Sequence, residues 1–410
     1  MTKNGTLTRR AFLTRTGALG CSIAASPLIT PIALAAAPGD HRLVVIILRG
    51  AMDGLDVVRP VGAPEYAALR PGLFAEGNRD ETLPLTDFFG LHPALAGLHP
   101  LWAAGELGFA HAVSTPYRDK RSHFDGQDIL ETGGADIGAA RDGWLNRALG
   151  LMQGTSLRTA FAVGREEMLV LAGRNEVSQW APDMAFGLTP QSQLLLARMY
   201  REAPLFRDSL DEAMALAGSL DGQAAPESYA ETRDAMMQSV KSAGRGGGLE
   251  KVARFAAEQL LGETRIASFS INGWDTHAGQ SRGLPRALRD LETAILTLKS
   301  GLGAVWGKTL VLAITEFGRT ARENGTGGTD HGTGGAMVMA GGALKGGQVY
   351  GNWPGLDDLD LYQARDLQPT GDVRAYAGAA LAGLFGLGRS DLEATVFPGL
   401  DMAGAPRILL

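Results

Sequence analysis

KTLVLAITEFGRTARENGTGGTDHGTGGAMVMAGGALKGGQVY, running from Lys308 to Tyr350, decides how this chain is read. Thr309 to Thr315 is an apolar, β-branched run of the length of a strand buried on both faces, and it ends on Glu316. A glycine-rich loop then delivers Asp330 and His331 just before a second apolar run, Ala336 to Ala340. Parallel neighbours need a longer crossover and usually a helix, so the two runs are expected to pair antiparallel. Glu316 and His331 then share one edge of a sheet. A carboxylate and an imidazole beside glycine-opened backbone suit a metal or anion site. A glycine-rich hairpin whose Asp and His merely cap turns is the plainer alternative.

Working outward, Arg42 to Leu48 (RLVVIIL) is the clearest buried strand, and Asp53 follows in GAMDGLD, residues 50–56. Leu91 to Ala104 reads as an amphipathic helix and Leu107 to Val113 as the next strand. After it come Arg118, Lys120, Arg121, Ser122 and His123, leading into a helical pattern from Gly126 to Glu131. Ser122 thus falls at a helix start, where free N–H groups favour an anion; a plain N-cap serine is the bland reading. His123 is open to three roles: ligand, base or packed histidine. Arg158 to Val163 and Arg265 to Ile271 read as further strands, and Gly273-Trp274-Asp275-Thr276-His277 follows the second of these directly. Helices are expected at Leu284 to Leu302 and Val373 to Leu387. Helical periodicity over about 190–262, broken by glycines near 244–248, reads as an insertion.

The chain has 410 residues, 45% of them apolar and 20% charged, which is ordinary for a globular protein. One α/β domain over residues 38–410, a mostly parallel doubly wound sheet flanked by helices, accounts for the alternation of strands and helices. A net charge of −6 excludes a basic nucleic-acid footprint. Arg9-Arg10-Ala11-Phe12-Leu13, then a weakly apolar segment and small residues up to Ala37, has the form of a twin-arginine signal over residues 1–37. Its implied partner is the twin-arginine translocase and its implied destination the periplasm or the exterior. Cys21, the single cysteine, lies within that signal, so the mature chain would have neither disulfides nor thiolate ligands.

Of seven histidines, His123, His277 and His331 each follow a predicted strand and have a carboxylate nearby. In doubly wound sheets the binding crevice lies beyond the carboxyl ends of the strands. Asp53, Ser122, Asp275, His277 and Glu316 all fall in such loops. Oxygen and imidazole donors without sulfur suit zinc, manganese, magnesium or calcium.

The segments SHFD (122–125), GWDTH (273–277), TEFGRT (315–320) and GTDHG (328–332), with the RR signal, resemble an uncharacterised family of exported bacterial proteins of unknown function. Their order is more distantly similar to the alkaline phosphatase superfamily, which includes sulfatases and phosphodiesterases. That resemblance implies one or two divalent metal ions held by Asp53, Asp275, His277, Glu316, Asp330 and His331. It implies Ser122 as nucleophile, with His123 and Arg121 beside it, and Arg118 and Arg319 against an anionic small-molecule or glycan ester. Two departures stand out: Asp275 and His277 are closer in sequence than in that superfamily, and Glu316-Phe317 stands where it has Asp-His. The expected activity is metal-dependent hydrolysis of phosphate or sulfate esters. The alternatives are a catalytically silent metal- or glycan-binding protein of the same fold and, with least support, an oxidoreductase.

Overall fold

The computed structural model describes residues 39–76, 81–164, 168–180 and 247–410. Residues 1–37, the expected signal, and most of the expected helical insertion lie outside them. Twelve strands are present among the described residues: β1 (Arg42–Arg49), β2 (Val58–Arg59), β3 (Leu83–Pro84), β4 (Gly90–Leu91), β5 (Leu107–Ser114), β6 (Ala160–Val163), β7 (Ser178–Trp180), β8 (Ile266–Asn272), β9 (Thr309–Thr315), β10 (Gly335–Ala340), β11 (Val349–Tyr350) and β12 (Gly371–Asp372). β2, β4 and β3 form a small separate sheet. The rest make one sheet in the order β11-β5-β10-β9-β1-β8-β6-β7, with β12 also on β5.

From β9 to β7 this sheet is wholly parallel. β10 alone runs against its neighbours, antiparallel to both β9 and β5. The antiparallel connection expected between Thr315 and Ala336 is therefore present, and a further bridge joins Arg319 to His331 beyond the strands. All the strands that precede a polar loop consequently end on one edge.

β1 is central because its side chains are apolar on both sides, and Leu43 to Leu48 are fully buried. Leu43, Val45 and Ile47 pack with helices α3 (Trp144–Leu151) and α6 (Val373–Phe385). Val44, Ile46 and Leu48 pack on the other face with α4 (Gly247–Leu261) and α5 (Gln280–Leu302). Each such side chain contributes roughly 1.5–3 kcal/mol of burial. Helices on both faces of a mostly parallel sheet are the doubly wound α/β arrangement expected from the sequence. Two further helices, α1 (Gly54–Val57) and α2 (His123–Thr132), begin in the loops beyond β1 and β5. Among the described residues, no helix is long and apolar enough to cross a membrane.

Local departures from the sequence reading have local causes. The single helix expected over 91–104 is a 3-10 segment, Pro93–Leu98, followed by a short helix, His99–Ala103, with Leu95 non-helical between turns. Pro93 is the first residue of one piece and Pro100 the second of the other, first-turn positions where a missing N–H does no harm. α5 starts at Gln280, four residues before Leu284, because Gly279 in the left-handed region turns the chain into it. α4, at the end of the expected insertion, belongs to the main core.

α1 touches the start of β10, an approach that only glycine at position 54 permits. A Cβ there would lie 2.5 Å from Ala336 N and 2.9 Å from Gly335 C, both backbone atoms that cannot swing aside. Gly54→Val should therefore force the Asp53 loop off β10 and destabilise the fold by at least about 1–3 kcal/mol, the usual range for overpacking. Thermal unfolding measures this directly; an unchanged melting temperature would refute the close approach.

Candidate metal centre

Four loops meet at the strand edge, from β1 (residues 50–53), β5 (115–122), β8 (273–277) and the β9–β10 hairpin (316–334). Their floor is Arg319, 1% exposed. Its Nε donates to Ala51 O at 2.8 Å and its Nη1 to Thr329 O at 2.9 Å. Its Nη2 reaches Gly50 O, Trp274 O and the Asp275 carboxylate, the last at 2.6 Å. One guanidinium thus ties three loops together and aims Asp275.

Around Asp275 stand three imidazoles. The Nε2 of His277 is 3.3 Å from Oδ1, that of His331 is 3.6 Å from Oδ1, and that of His123 is 3.6 Å from Oδ2. Ligand atoms of His123, Asp275 and His331 all lie within 4.8 Å of one another, so this His/Asp/His group could hold a metal ion. His277 stands beside the group, with its Nε2 2.9 Å from that of His331.

Each ring is turned by its other nitrogen. His123 Nδ1 is 2.8 Å from Glu316 Oε1, His331 Nδ1 is 2.8 Å from Arg121 O, and His277 Nδ1 is 3.2 Å from Asp330 Oδ1. A carbonyl or carboxylate oxygen can only accept, so Nδ1 carries the proton in each neutral ring and Nε2 presents a lone pair. Two bare lone pairs 2.9 Å apart repel unless a cation, a proton or a metal, lies between them. Imidazole nitrogens bound tetrahedrally to zinc at about 2.0–2.1 Å are themselves about 3.3 Å apart, so a separation of a few tenths of an ångström would admit a metal. Moreover, His123 Nε2 is buried without a hydrogen-bond partner. Carboxylates and carbonyls that orient imidazoles in this way are the usual outer support of metal ligands.

Charge and proton affinity agree with this arrangement. Burial pushes Asp275 up, but Arg319 outweighs it and holds the carboxyl below its ordinary value. The Asn324 amide does the same for Asp330. Burial, with the positive charge of Arg319 nearby, holds His331 below the ordinary imidazole value, hence neutral at neutral pH. The bond to Glu316 raises His123. Glu316 is buried, which alone would raise it, yet hydrogen bonds involving His123, Gln127 and Thr315 keep it low. Around the imidazoles three carboxylates, Asp275, Glu316 and Asp330, stand against the one guanidinium of Arg319, a balance that suits a divalent cation.

The remaining sequence-derived residues fall in different places. Glu316 and Asp330, expected as ligands, stand behind His123 and His277 and bond to their Nδ1 atoms. Asp53, also expected as a ligand, is outside the cluster: its Oδ2 takes Arg70 Nη1 at 2.6 Å and Gln280 Nε2 at 2.6 Å in a fully buried ion pair. Arg319, expected to bind substrate, is corrected to an internal brace with no exposed surface to offer one. Arg118 donates to the carbonyls of Thr115 and Tyr117. Arg121 contributes its main-chain oxygen to His331, while its half-buried side chain lies 3.7 Å from Asp366. Ser122 is the N-cap of α2, its hydroxyl accepting from Asp125 N–H at a long 3.4 Å.

A family model described as a protein of unknown function, DUF1501, matches residues 101–396. The chain belongs to this family. The matched span contains His123, Asp275, His277, Glu316, Asp330 and His331, whereas Asp53 precedes it. No curated protein matches the chain. Among solved structures, TAB5 alkaline phosphatase, as a histidine variant with magnesium bound, is similar at a TM-score of 0.33 and 13% identity, over 74% of this chain and 91% of that one. The lipoteichoic acid synthase LtaP from Listeria monocytogenes is similar at a TM-score of 0.31 and 11% identity, over 69% of this chain and 57% of that one. Likenesses this loose carry no argument about chemistry, which rests on the side chains of this chain.

Arg319→Lys keeps the charge but cannot span five acceptors, so it should destabilise the fold by about 3–5 kcal/mol, as breaking a buried ion pair does; denaturant unfolding with the native midpoint intact would contradict it. In chelator-treated protein, the His123 contribution is complete below the ordinary imidazole value of 6.5 and lost as pH rises through its raised folded value. The Glu316 contribution is present above 4.5 and lost as pH falls through its lowered value. The stability difference between wild type and Glu316→Gln should therefore peak in mildly acidic solution and shrink above neutrality; a difference that grows with pH would refute the pair.

Proposed function

We propose that this chain is a metal-dependent hydrolase of phosphate or sulfate esters. The observation that carries the reading is the convergence of three Nε2 atoms on Asp275, each ring fixed by a hydrogen bond at Nδ1. Three imidazoles and one carboxylate favour zinc or manganese over calcium or magnesium, which prefer all-oxygen surroundings. The reading takes one ion per chain: Asp53 Oδ2 is held by Arg70 and Gln280, which leaves that aspartate only its buried Oδ1 without a hydrogen-bond partner.

When bound, the ion lowers the pKa of a hydroxyl or water at the site and draws charge from a phosphoryl or sulfuryl oxygen. The chain supplies the rest. Ser122 directly precedes His123 in sequence, at the N-terminus of the ten-residue helix α2, whose free N–H groups favour an anionic group. In this reading its hydroxyl attacks: the Oγ–P or Oγ–S bond forms as the bond to the ester oxygen breaks on the opposite side. The hydroxyl proton passes to solvent and the leaving oxygen takes one up, and water then cleaves the serine ester to release the acid and restore the hydroxyl. Lys120, exposed, and Arg121, partly so, add positive charge on the same loop. Gln127 and Gly50 N–H bond to Glu316 and hold His123 in register throughout. The RR-x-F-L signal adds that this work is done outside the cytoplasm.

Elemental analysis of folded protein should find about one zinc or manganese ion per chain, and Asp275→Asn should lose it. Aryl phosphate and aryl sulfate esters should be hydrolysed by wild type and at least about 1,000-fold more slowly by Ser122→Ala, as when a nucleophile is removed. Full hydrolysis by Asp275→Asn would sink the proposal. Normal activity in Ser122→Ala with metal retained would transfer the attack to water.

A further inference from the structure

Gln280, the first residue of α5, is fully buried and uses all the hydrogen-bonding capacity of a primary amide. Its Nε2 donates to Asp53 Oδ2 at 2.6 Å and to Asp56 Oδ2 at 3.0 Å. Its Oε1 accepts from Thr276 Oγ1 at 2.9 Å and from Thr329 Oγ1 at 2.8 Å. Thr276 sits between Asp275 and His277, and Thr329 immediately precedes Asp330 and His331. The two loops also touch directly, Thr329 N–H donating to Thr276 O at 3.2 Å.

The carboxylates on the far side of the amide are anchored in turn. Asp53 is paired with Arg70, whose Nε and Nη2 hold Ala321 O and Thr320 O, and Asp56 is paired with Arg59. The amide cannot be turned over, because its oxygen would then face two carboxylates. Nor can Glu replace it without adding a third carboxylate to Asp53 and Asp56, a like-charge contact that burial makes severe.

The geometry points to Gln280 as a positioning residue that sets the separation of the His277 and His331 loops and thereby the affinity of the centre for its ion. This rests on the proposed metal centre and adds the residue that tunes it. Gln280 touches no ligand side chain; it acts through the two threonines. A neutral amide is the one side chain that can donate twice to carboxylates and accept twice from hydroxyls at the same point. The close approach of His277 Nε2 to His331 Nε2, 2.9 Å, is the distance this clamp maintains.

The test uses the full chain with Thr276→Val, Thr329→Val and Gln280→Met, the first two removing one hydroxyl each at nearly constant shape. Zinc affinity is measured by competition with a chromophoric chelator, and amide hydrogen exchange of residues 276–279 and 326–331 is followed in chelator-washed protein. Each threonine variant should bind zinc about 10-fold more weakly and Gln280→Met up to about 100-fold, the range for outer-shell partners of metal ligands. Because both hydroxyls share one oxygen, the double threonine variant should lose less than the product of the singles. Exchange in both loops should quicken without metal. Unchanged zinc affinity in Gln280→Met with a lowered melting temperature would overturn the proposal, leaving Gln280 a fold-supporting residue only. Wild type that takes no zinc, while exchange still quickens in the variants, would overturn the metal reading and the affinity claim with it, but not the mechanical link between the loops.

Discussion

A single buried guanidinium holds this molecule's polar edge in shape. Arg319 spends its donors on the carbonyls of Gly50, Ala51, Trp274 and Thr329 and on Asp275, so loops that arrive from β1, β8 and the β9–β10 hairpin close around one cation. Burying a charge is tolerable only when it is fully paired and hydrogen-bonded. The loops therefore lock together or not at all, and Asp275 inherits a fixed direction and a low proton affinity from the same contact.

On that base the site is built in two layers with a division of labour between like residue types. Asp275 faces the imidazole lone pairs, while Glu316 and Asp330 stand behind the rings and hold Nδ1 protons. Glu316 is itself held by the Gly50 N–H, Gln127 and Thr315, so its orientation is set by β1, α2 and β9 at once. Asp53 and Asp56, close by, are neutralised by Arg70 and Arg59 and serve as anchors for Gln280. Carboxylates held by arginine alone become structure; the one that shares its arginine with three imidazoles faces the candidate metal centre.

Much of this was legible in the sequence, and the reasons are physical. The runs at 42–48 and 309–315 are apolar at both odd and even positions, as a strand covered on both faces needs. Chain direction then places GWDTH, TEFGRT and TDHG on one edge by the rules of parallel sheets. What the sequence could not reveal is which carboxylate would meet which cation. Arg70 lies in the largely apolar stretch YAALRPGLF (66–74), 17 residues from Asp53, yet it removes that aspartate from the cluster. Arg319 has the composition of a substrate-binding residue and is distinguished only by its burial. The Arg121 carbonyl that orients His331 has no side-chain signature at all. Gln280 reads as a polar residue at a helix start, and only its four partners reveal its position between two loops.

The arrangement of three Nε2 atoms about Asp275 as a metal centre is the claim on which the account stands. Crystals of the full chain purified without chelator, with anomalous data collected on either side of the zinc and manganese absorption edges, test it most directly. The account predicts one anomalous peak per chain, about 2.0–2.2 Å from Nε2 of His123 and His331 and from an Asp275 oxygen, with His277 beside it. No peak there after zinc or manganese is supplied, or a peak coordinated by Asp53 in place of Asp275, would contradict it.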